Sequence, residues 1–398
     1  MVNLMKSYPF SATLGVTHRC NLNCRYCYQQ HTDNLCMSIQ TARNCIDEIG
    51  KIVSDRKLRK VTIDFIGGEP LLEFELIKEV YQYTKSLKWD VALKFFATTN
   101  GTILSEAMKL WFAEHRSDFI LGLSLDGTKE THNYNRSNSF EKIDTDFFVR
   151  NYPDQAVKMT ISEYSLHWLL DNVRFVHELG FKRIAGMNFA EAYIDWDNDE
   201  YILELISQLG GLVEYYLENP QFYNQFFAKR LYWCATPGHH HKKYCGTGSN
   251  MAFFDTDGRK YPCAFFTPMT FDNEHLTRLS QIDFNNDDLF VDRDCYDNCY
   301  IYPLCNTCAG ANLKVCGGLN RRDRRRCKVN KVMSVFLADF LLRKALNKVE
   351  EDGNAVNDKR LQAEIIACKQ IKKLYYPEFQ KYFEKITADT DENGFVIR

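Results

Sequence analysis

Two rhythms of apolar residues alternate through the first half of the chain. Short runs rich in β-branched and aromatic residues predict strands over 13–16, 61–66, 93–98, 120–125, 157–161 and 183–189. Between them, apolar positions spaced by three and four predict amphipathic helices. One carries Ala42, Cys45, Ile46, Ile49 and Ile52, the next Ile77, Val80, Thr84 and Leu87, and a later one Leu166, Leu169, Leu170, Val173 and Val176. Six repeats of strand then helix require a parallel sheet, because parallel neighbours are joined only by a crossover over the sheet face. The fold class is α/β, either doubly wound or curled into a whole or partial barrel. Functional residues belong in the loops after the strand C-termini, which vary while the strands pack.

Those loops are polar or glycine-rich: His18 to Cys27 after the first strand, Gly67-Gly68-Glu69-Pro70 after the second, Thr99-Asn100-Gly101 after the third, and Ser124-Leu125-Asp126-Gly127 after the fourth. One such turn is ordinary; four at one face of a sheet point to a site. From about residue 200 the alternation stops. An aromatic helical stretch (201–227) follows, then a cysteine-rich region, then an amphipathic helix over 329–346 and a charged helix and tail. The expected division is a barrel over 1–200, a helical bridge over 201–233, a small cysteine-rich domain over 234–330, built from loops and short hairpins rather than around a hydrophobic core, and a C-terminal helical segment over 331–398.

Composition narrows the chemistry. Fifty Lys and Arg against 52 Asp and Glu leave a formal charge of -2, so no global field favours nucleic acid or anionic lipid. No apolar run approaches the roughly 20 residues of a membrane helix, and the first ten residues lack the layout of a signal peptide. A cytoplasmic protein with neither a nucleic-acid nor a membrane partner is expected. Against that background 15 cysteines are anomalous. Structural disulfides are rare in a reducing compartment, so clustered cysteines argue for metal or catalysis. Three fall within Cys20 to Cys27, nine between Cys234 and Cys327, and none between Cys45 and Cys234.

Cys20, Cys24 and Cys27 place three thiols in eight residues, enough for three corners of one cubane. A [4Fe-4S] cluster normally takes four thiolates, so one iron is left open to an external ligand. A closed zinc site wants two separated pairs, and Cys36 is poorly spaced to complete one. With Gly67-Gly68-Glu69-Pro70 after the second strand, this loop resembles the radical S-adenosylmethionine (SAM) enzymes over roughly residues 10–190. The resemblance implies a partial (β/α)6 barrel whose open iron chelates the amino and carboxylate groups of SAM. It implies that Gly67, Gly68, Glu69 and Pro70 receive the methionyl ammonium, that Tyr26 lies near adenine, and that Ser124, Asp126 and Arg136 hold ribose and carboxylate. A plain solvated-loop role is the alternative for Arg136.

Cys245, Gly258 and Cys263, then Cys295-x3-Cys299-x5-Cys305-x2-Cys308, then Cys327, resemble the SPASM extension of that family, a small iron–sulfur domain with two auxiliary [4Fe-4S] clusters. The family spaces its middle quartet by two, five and three residues; here the gaps are three, five and two. The resemblance implies one auxiliary cluster on Cys245, Cys263 and Cys308 and a second on Cys295, Cys299, Cys305 and Cys327, for three [4Fe-4S] clusters in all. Cys234, Cys316 or a substrate thiolate is left to complete the first, with Cys234 preferred on position. Cys36, Cys45 and Cys368 read as ordinary residues. His239-His240-His241, the arginines 321–326 and the aromatic residues around Tyr215 read as a solvated loop, a solvated loop or a patch near cluster charge, and packing.

Such proteins commonly modify peptides or proteins. The expected function is maturation of a ribosomally made precursor peptide by a thioether or carbon–carbon crosslink, with epimerisation or anaerobic sulfatase maturation as alternatives. Sulfatase maturases place an aspartate after their Tyr-Pro-Cys segment as base; here Ala264 follows Tyr261-Pro262-Cys263, and a methyl group takes no proton. Asp255 and Asp257 are the nearby substitutes. Nineteen residues precede Cys20, too few for an N-terminal leader-recognition domain, so leader binding is expected to use another surface, a separate protein, or little leader contact at all. A reducing partner such as flavodoxin or ferredoxin is expected to supply electrons.

Overall fold

The computed structural model describes residues 10–29, 34–190, 194–236, 242–382 and 384. The histidine run 239–241 lies outside them. Four strands follow the expected rhythm: β1 (Phe10–Thr17), β2 (Lys60–Gly67), β3 (Ala92–Thr99) and β4 (Phe119–Leu123). Each pairs in parallel with the next, in the registers Phe10 with Val61, Val61 with Leu93 and Phe95 with Phe119. The crossovers are the helices α1 (Ile39–Asp55), α2 (Phe74–Ser86) and α3 (Glu106–His115). Helix α1 starts where Ser38 accepts a hydrogen bond from the Thr41 N–H, a cap worth about 1 kcal/mol. It buries Ala42, Cys45, Ile46, Ile49 and Val53 against the sheet. Val53, not Ile52, completes the buried stripe, because a helix of 17 residues drifts round its axis by the last turn.

Past β4 come α4 (Lys129–Asn135), α5 (Thr145–Asn151), β5 (Thr160–Ile161), α6 (Glu163–Leu166), α7 (Leu169–Glu178), β6 (Arg183–Ile184), β7 (Asn188–Phe189), α8 (Asp199–Glu218) and β8 (Tyr223–Asn224). The expected strand over 183–189 is split in two, and Gly186, at φ +100°, sits at the break. Parallel bridges from Ser124 to Lys158 and from Val157 to Ile184 carry the curvature on from β4.

On its other side the sheet takes a strand from the cysteine-rich region. β9 (Met251–Phe254) pairs in parallel with β1, and β10 (Lys260–Tyr261) returns antiparallel to β9. The region expected to lack a hydrophobic core instead has a small one, formed by Phe266, Phe271, Leu279, Phe284, Phe290, Ala309 and Leu319. Beneath it the main core runs from the sheet into α8 and the helices Arg326–Glu351 and Lys359–Tyr375. Among the described residues no helix is long and apolar enough to cross a membrane.

Candidate active site

The loop after β1 carries Cys20, Cys24 and Cys27 and is strapped down on two sides. On one, Asn100 Nδ2 donates to Asn21 Oδ1 at 2.9 Å and Asn21 Nδ2 to Thr102 Oγ1 at 2.8 Å. On the other, the Asn23 N–H donates to Ser137 Oγ at 2.9 Å, the Arg25 N–H donates to the Asn135 carbonyl at 3.0 Å, and the Arg25 guanidinium lies 4.1 Å above the Tyr134 ring. The residues between the cysteines thus fix the loop to the segments that follow β3 and α4. Burial raises the pKa of all three thiols, that of Cys24 to about 11, so a metal must displace protons to bind.

The Gly67-Gly68 turn lies against this loop so closely that side chains do not fit. A Cβ on Gly67 would stand 2.3 Å from the Thr17 carbonyl oxygen, and one on Gly68 2.2 Å from that of Arg19 and 2.7 Å from Cys20 Cβ. The Gly68 and Glu69 N–H groups donate to those same two carbonyls. Glu69 is 1% exposed, and its carboxylate is already engaged. Oε1 accepts from Thr99 Oγ1 at 2.7 Å and the Leu71 N–H at 3.1 Å, and Oε2 from the Asn100 N–H at 2.8 Å. Burial nevertheless lifts its pKa to about 7. Glu69 therefore ties the β2 loop to the end of β3. Pro70 opens the short turn that follows and is buried.

Asp126 is fully buried and organises the far wall. Its Oδ2 accepts from the Tyr26 hydroxyl and from Asn135 Nδ2 at 3.2 Å, and its Oδ1 from the Thr160 N–H at 3.0 Å. Arg136 Nε stands 3.0 Å from Oδ2, an ionic contact off the line of a good hydrogen bond, with its guanidinium 5.4 Å from the Tyr26 ring centre. At 8% exposed, Arg136 is no solvated loop arginine. Burial opposes its charge, but Asp126 together with Tyr26 and Cys24 more than offsets that, and its pKa is raised.

One cavity of about 880 Å³ joins these parts. Its wall includes Cys20, Cys24, Cys27, Gly67, Gly68, Ser124 and Arg136 together with Cys295, Cys299, Cys305, Cys308 and Cys327. Electrostatic proximity links Cys245 to Cys263, places Tyr28 beside Cys27, Cys263 and Cys308, and links Cys327 to Cys295, Cys299 and Cys305. Tyr28 stacks on Phe265 at 5.6 Å between the first loop and this second region. Cys234 is buried and faces Cys299, Glu364 and Cys368, while Cys316 faces Asp323, Arg325 and Arg321.

The donor set suits iron–sulfur clusters, which are held by thiolates. Among the described residues no three Cys, His, Asp or Glu side chains converge on a single ion. Eight thiols instead line the one cavity, those of Cys20, Cys24, Cys27, Cys295, Cys299, Cys305, Cys308 and Cys327.

Residues not anticipated from the sequence also reach the cavity. Lys158 donates to Thr98 Oγ1 at 2.7 Å and lies above Phe96, and Arg322 is buried over the Tyr302 ring at 4.1 Å. A lone Lys in a strand carries no signal. The arginine run did, but nothing in its spacing marked Arg322 as the buried member.

Comparison with known proteins agrees with this geometry. Residues 14–209 match the Radical SAM superfamily model. The chain is 25% identical over 321 residues to a cysteine-type anaerobic sulfatase-maturating enzyme of Clostridium novyi, covering 72% of this chain and 84% of that one. It is 24% identical over 230 residues to the radical SAM cyclopropyl synthase TigE of Paramaledivibacter caminithermalis, covering 54% of this chain and 42% of that one. An uncharacterized protein of Methanocaldococcus jannaschii, MJ0907, is 27% identical over 178 residues, 43% of this chain and 60% of its own length. The chain thus spans less than two thirds of two of these three relatives. The fold is similar to that of native anSMEcpe with bound AdoMet and Kp18Cys peptide (TM-score 0.64, 15% identity, 86% of this chain and 100% of that one). It is also similar to that of Streptococcus suis SuiB bound to precursor peptide SuiA (TM-score 0.53, 16% identity, 80% and 76%). The strapped three-cysteine loop and the glycine turn set against it lie within residues 14–209, and that part of the chain is a radical SAM domain.

Proposed function

We propose that this chain is a peptide maturase carrying three [4Fe-4S] clusters, which abstracts hydrogen from a ribosomally made precursor peptide and closes a thioether or carbon–carbon crosslink. The observation that carries this reading is the shared cavity: a segment bound there touches the first cysteine loop and the second thiol set at once. Cys20, Cys24 and Cys27 would hold the first cluster. Cys245, Cys263 and Cys308 would hold the second, and Cys295, Cys299, Cys305 and Cys327 the third. Electrons come from a flavodoxin- or ferredoxin-like donor. The chemistry SAM supplies at a reduced cluster is hydrogen-atom abstraction from an unactivated C–H bond.

The protein binds, orients and excludes water. Gly67 and Gly68 present backbone to the methionyl ammonium, with Glu69 holding their turn in place. Ser124, past the end of β4, offers a hydroxyl to ribose, and Arg136, kept in place by Asp126, offers its guanidinium to the carboxylate. Tyr26 is held by the same aspartate, so its ring is fixed for adenine.

Sulfatase maturation is the second reading, supported by the 84% coverage of the Clostridium novyi enzyme. Against it stand Ala264 and the engagement of both nearby substitutes, Asp255 with His18 at 2.7 Å and Asp257 with Arg259 at 3.2 Å. Anaerobic co-expression with short peptides encoded beside the gene, followed by mass spectrometry, decides. Loss of two hydrogens supports the crosslink. Exchange of a cysteine sulfur for oxygen with loss of two hydrogens supports formylglycine, and a D-residue without mass change supports epimerisation.

A further inference from the structure

The thiol set of Cys295, Cys299, Cys305 and Cys327 receives hydrogen-bond donors from several separate parts of the chain. Arg324 Nη1 stands 2.6 Å from Cys295 Sγ, and the same guanidinium acts electrostatically on Cys327. Asn330 Nδ2 donates to Cys305 Sγ at 3.3 Å. Asn330 lies one helical turn beyond Cys327 on the helix Arg326–Glu351, so both project from one side of it. The Tyr375 hydroxyl, at the end of the helix Lys359–Tyr375, is 3.9 Å from Cys299 Sγ. Arg322, 6% exposed, donates to the Cys305 carbonyl at 3.2 Å, which adds a buried cation beside the same thiol.

These donors are built in. Arg324 Nη2 is held by both oxygens of Asp292 at 3.2 Å and by Asp294 at 3.1 Å. Asp292 in turn accepts from the Cys295 N–H and caps the helix Arg293–Asn298 that bears this cysteine. The two carboxylates offset the charge of Arg324 at longer range, so what reaches the sulfur is the direct N–H donation.

Resting on the three-cluster reading above, we propose that Arg324, Asn330, Tyr375 and Arg322 raise the reduction potential of the cluster held by Cys295, Cys299, Cys305 and Cys327. Thiolate-ligated clusters are anionic and gain another negative charge on reduction. Donors to sulfur and nearby cations therefore stabilise the reduced form more than the oxidised one. A cluster held by these thiols would supply one-electron chemistry beside the cavity. Four of its thiols line the same cavity as the first loop. The four donors are positioning residues, acting through the sulfur ligands.

The test is an EPR-monitored redox titration of the anaerobically reconstituted full chain, with iron content measured in parallel. Cys295→Ala assigns the signal of this cluster. Arg324→Gln and Asn330→Leu are then expected to keep the iron of the wild type while lowering the midpoint of that signal alone. The expected size is about a tenfold smaller reduced fraction at fixed potential, or about 59 mV for a one-electron couple. Full iron with an unmoved midpoint in both variants overturns the proposal. If Arg324→Gln loses iron, Asn330→Leu decides by the same criterion. If Cys295→Ala removes no signal and no iron, the cluster assignment itself fails, a result distinct from an unmoved midpoint, and the tuning role falls with it.

Discussion

His18 and Asp255 meet inside the protein, Nε2 to Oδ1 at 2.7 Å, with both side chains 5% exposed. His18 opens the loop that carries Cys20, and Asp255 directly follows β9, so the contact joins the SAM-binding half to the cysteine-rich half. Asp255 Oδ1 also accepts from the Thr256 N–H at 2.7 Å. Removing the carboxylate takes a hydrogen-bond partner from a buried imidazole, which costs about 1–3 kcal/mol. Asp255→Ala is expected to lower the unfolding free energy from urea titration by that amount and Asp255→Asn by less, because the amide oxygen still accepts. A double-mutant cycle with His18→Ala measures the coupling. Additive effects would show that the contact does not hold the halves together.

Gly68→Ala tests the approach of the two loops. The new Cβ meets backbone 2.2 Å away and Cys20 Cβ at 2.7 Å, so the loop must move rather than a flexible side chain. Iron per chain is expected to fall by about four atoms, one cluster's worth, with SAM cleavage lost and the auxiliary clusters retained. Unchanged iron and SAM binding would mean that the cysteine loop tolerates displacement.

How much of this was legible in the sequence depends on how far apart partners lie. The three-cysteine loop and Gly67-Gly68 are local patterns whose chemistry follows from spacing, and the stripe of α1 follows from period. The role of Asp126 was not legible in the same way. Asp126-Gly127 reads as a turn, and the resemblance gave Asp126 to ribose and carboxylate, yet its carboxylate serves Tyr26, Asn135 and Thr160, which lie 100, 9 and 34 residues away. β9 was hidden for a similar reason. Four apolar residues inside a cysteine-rich stretch resemble a hairpin arm, and only the open edge of β1 recruits them into the main sheet.

The cysteines outside the three proposed sets separate by what they face. Cys24→Ala is expected to abolish reductive cleavage of SAM to 5′-deoxyadenosine while auxiliary-cluster absorption persists. Cleavage at the wild-type rate would remove Cys24 from the ligand set. Cys234, preferred from its position as the missing ligand beside Cys245, instead faces Cys299, Glu364 and Cys368 in the core. Cys234→Ala is therefore expected to keep full iron content and to cost stability through lost packing. A drop of one cluster's iron would restore it as a ligand.

His132 predicts an acid limb of stability. It is fully buried, its Nδ1 accepts from the Asp126 N–H at 3.3 Å, and its Nε2 faces Ser139 Oγ at 3.0 Å, an arrangement that needs the neutral ring. Burial lowers its pKa from 6.5 to about 4. Between those values the unfolded chain binds the extra proton and the folded one does not, so stability is full above pH 6.5 and declines as pH falls towards 4. The shift corresponds to about 3 kcal/mol. Urea midpoints measured across that window are expected to fall for the wild type. The decline should be smaller for His132→Asn, whose side-chain oxygen still accepts from Asp126 but does not titrate. Equal slopes for the two proteins would place the acid sensitivity elsewhere. Because His132 supports the backbone of Asp126, the same loss should loosen Tyr26 and Arg136, so SAM affinity is expected to weaken in parallel with stability as the pH drops.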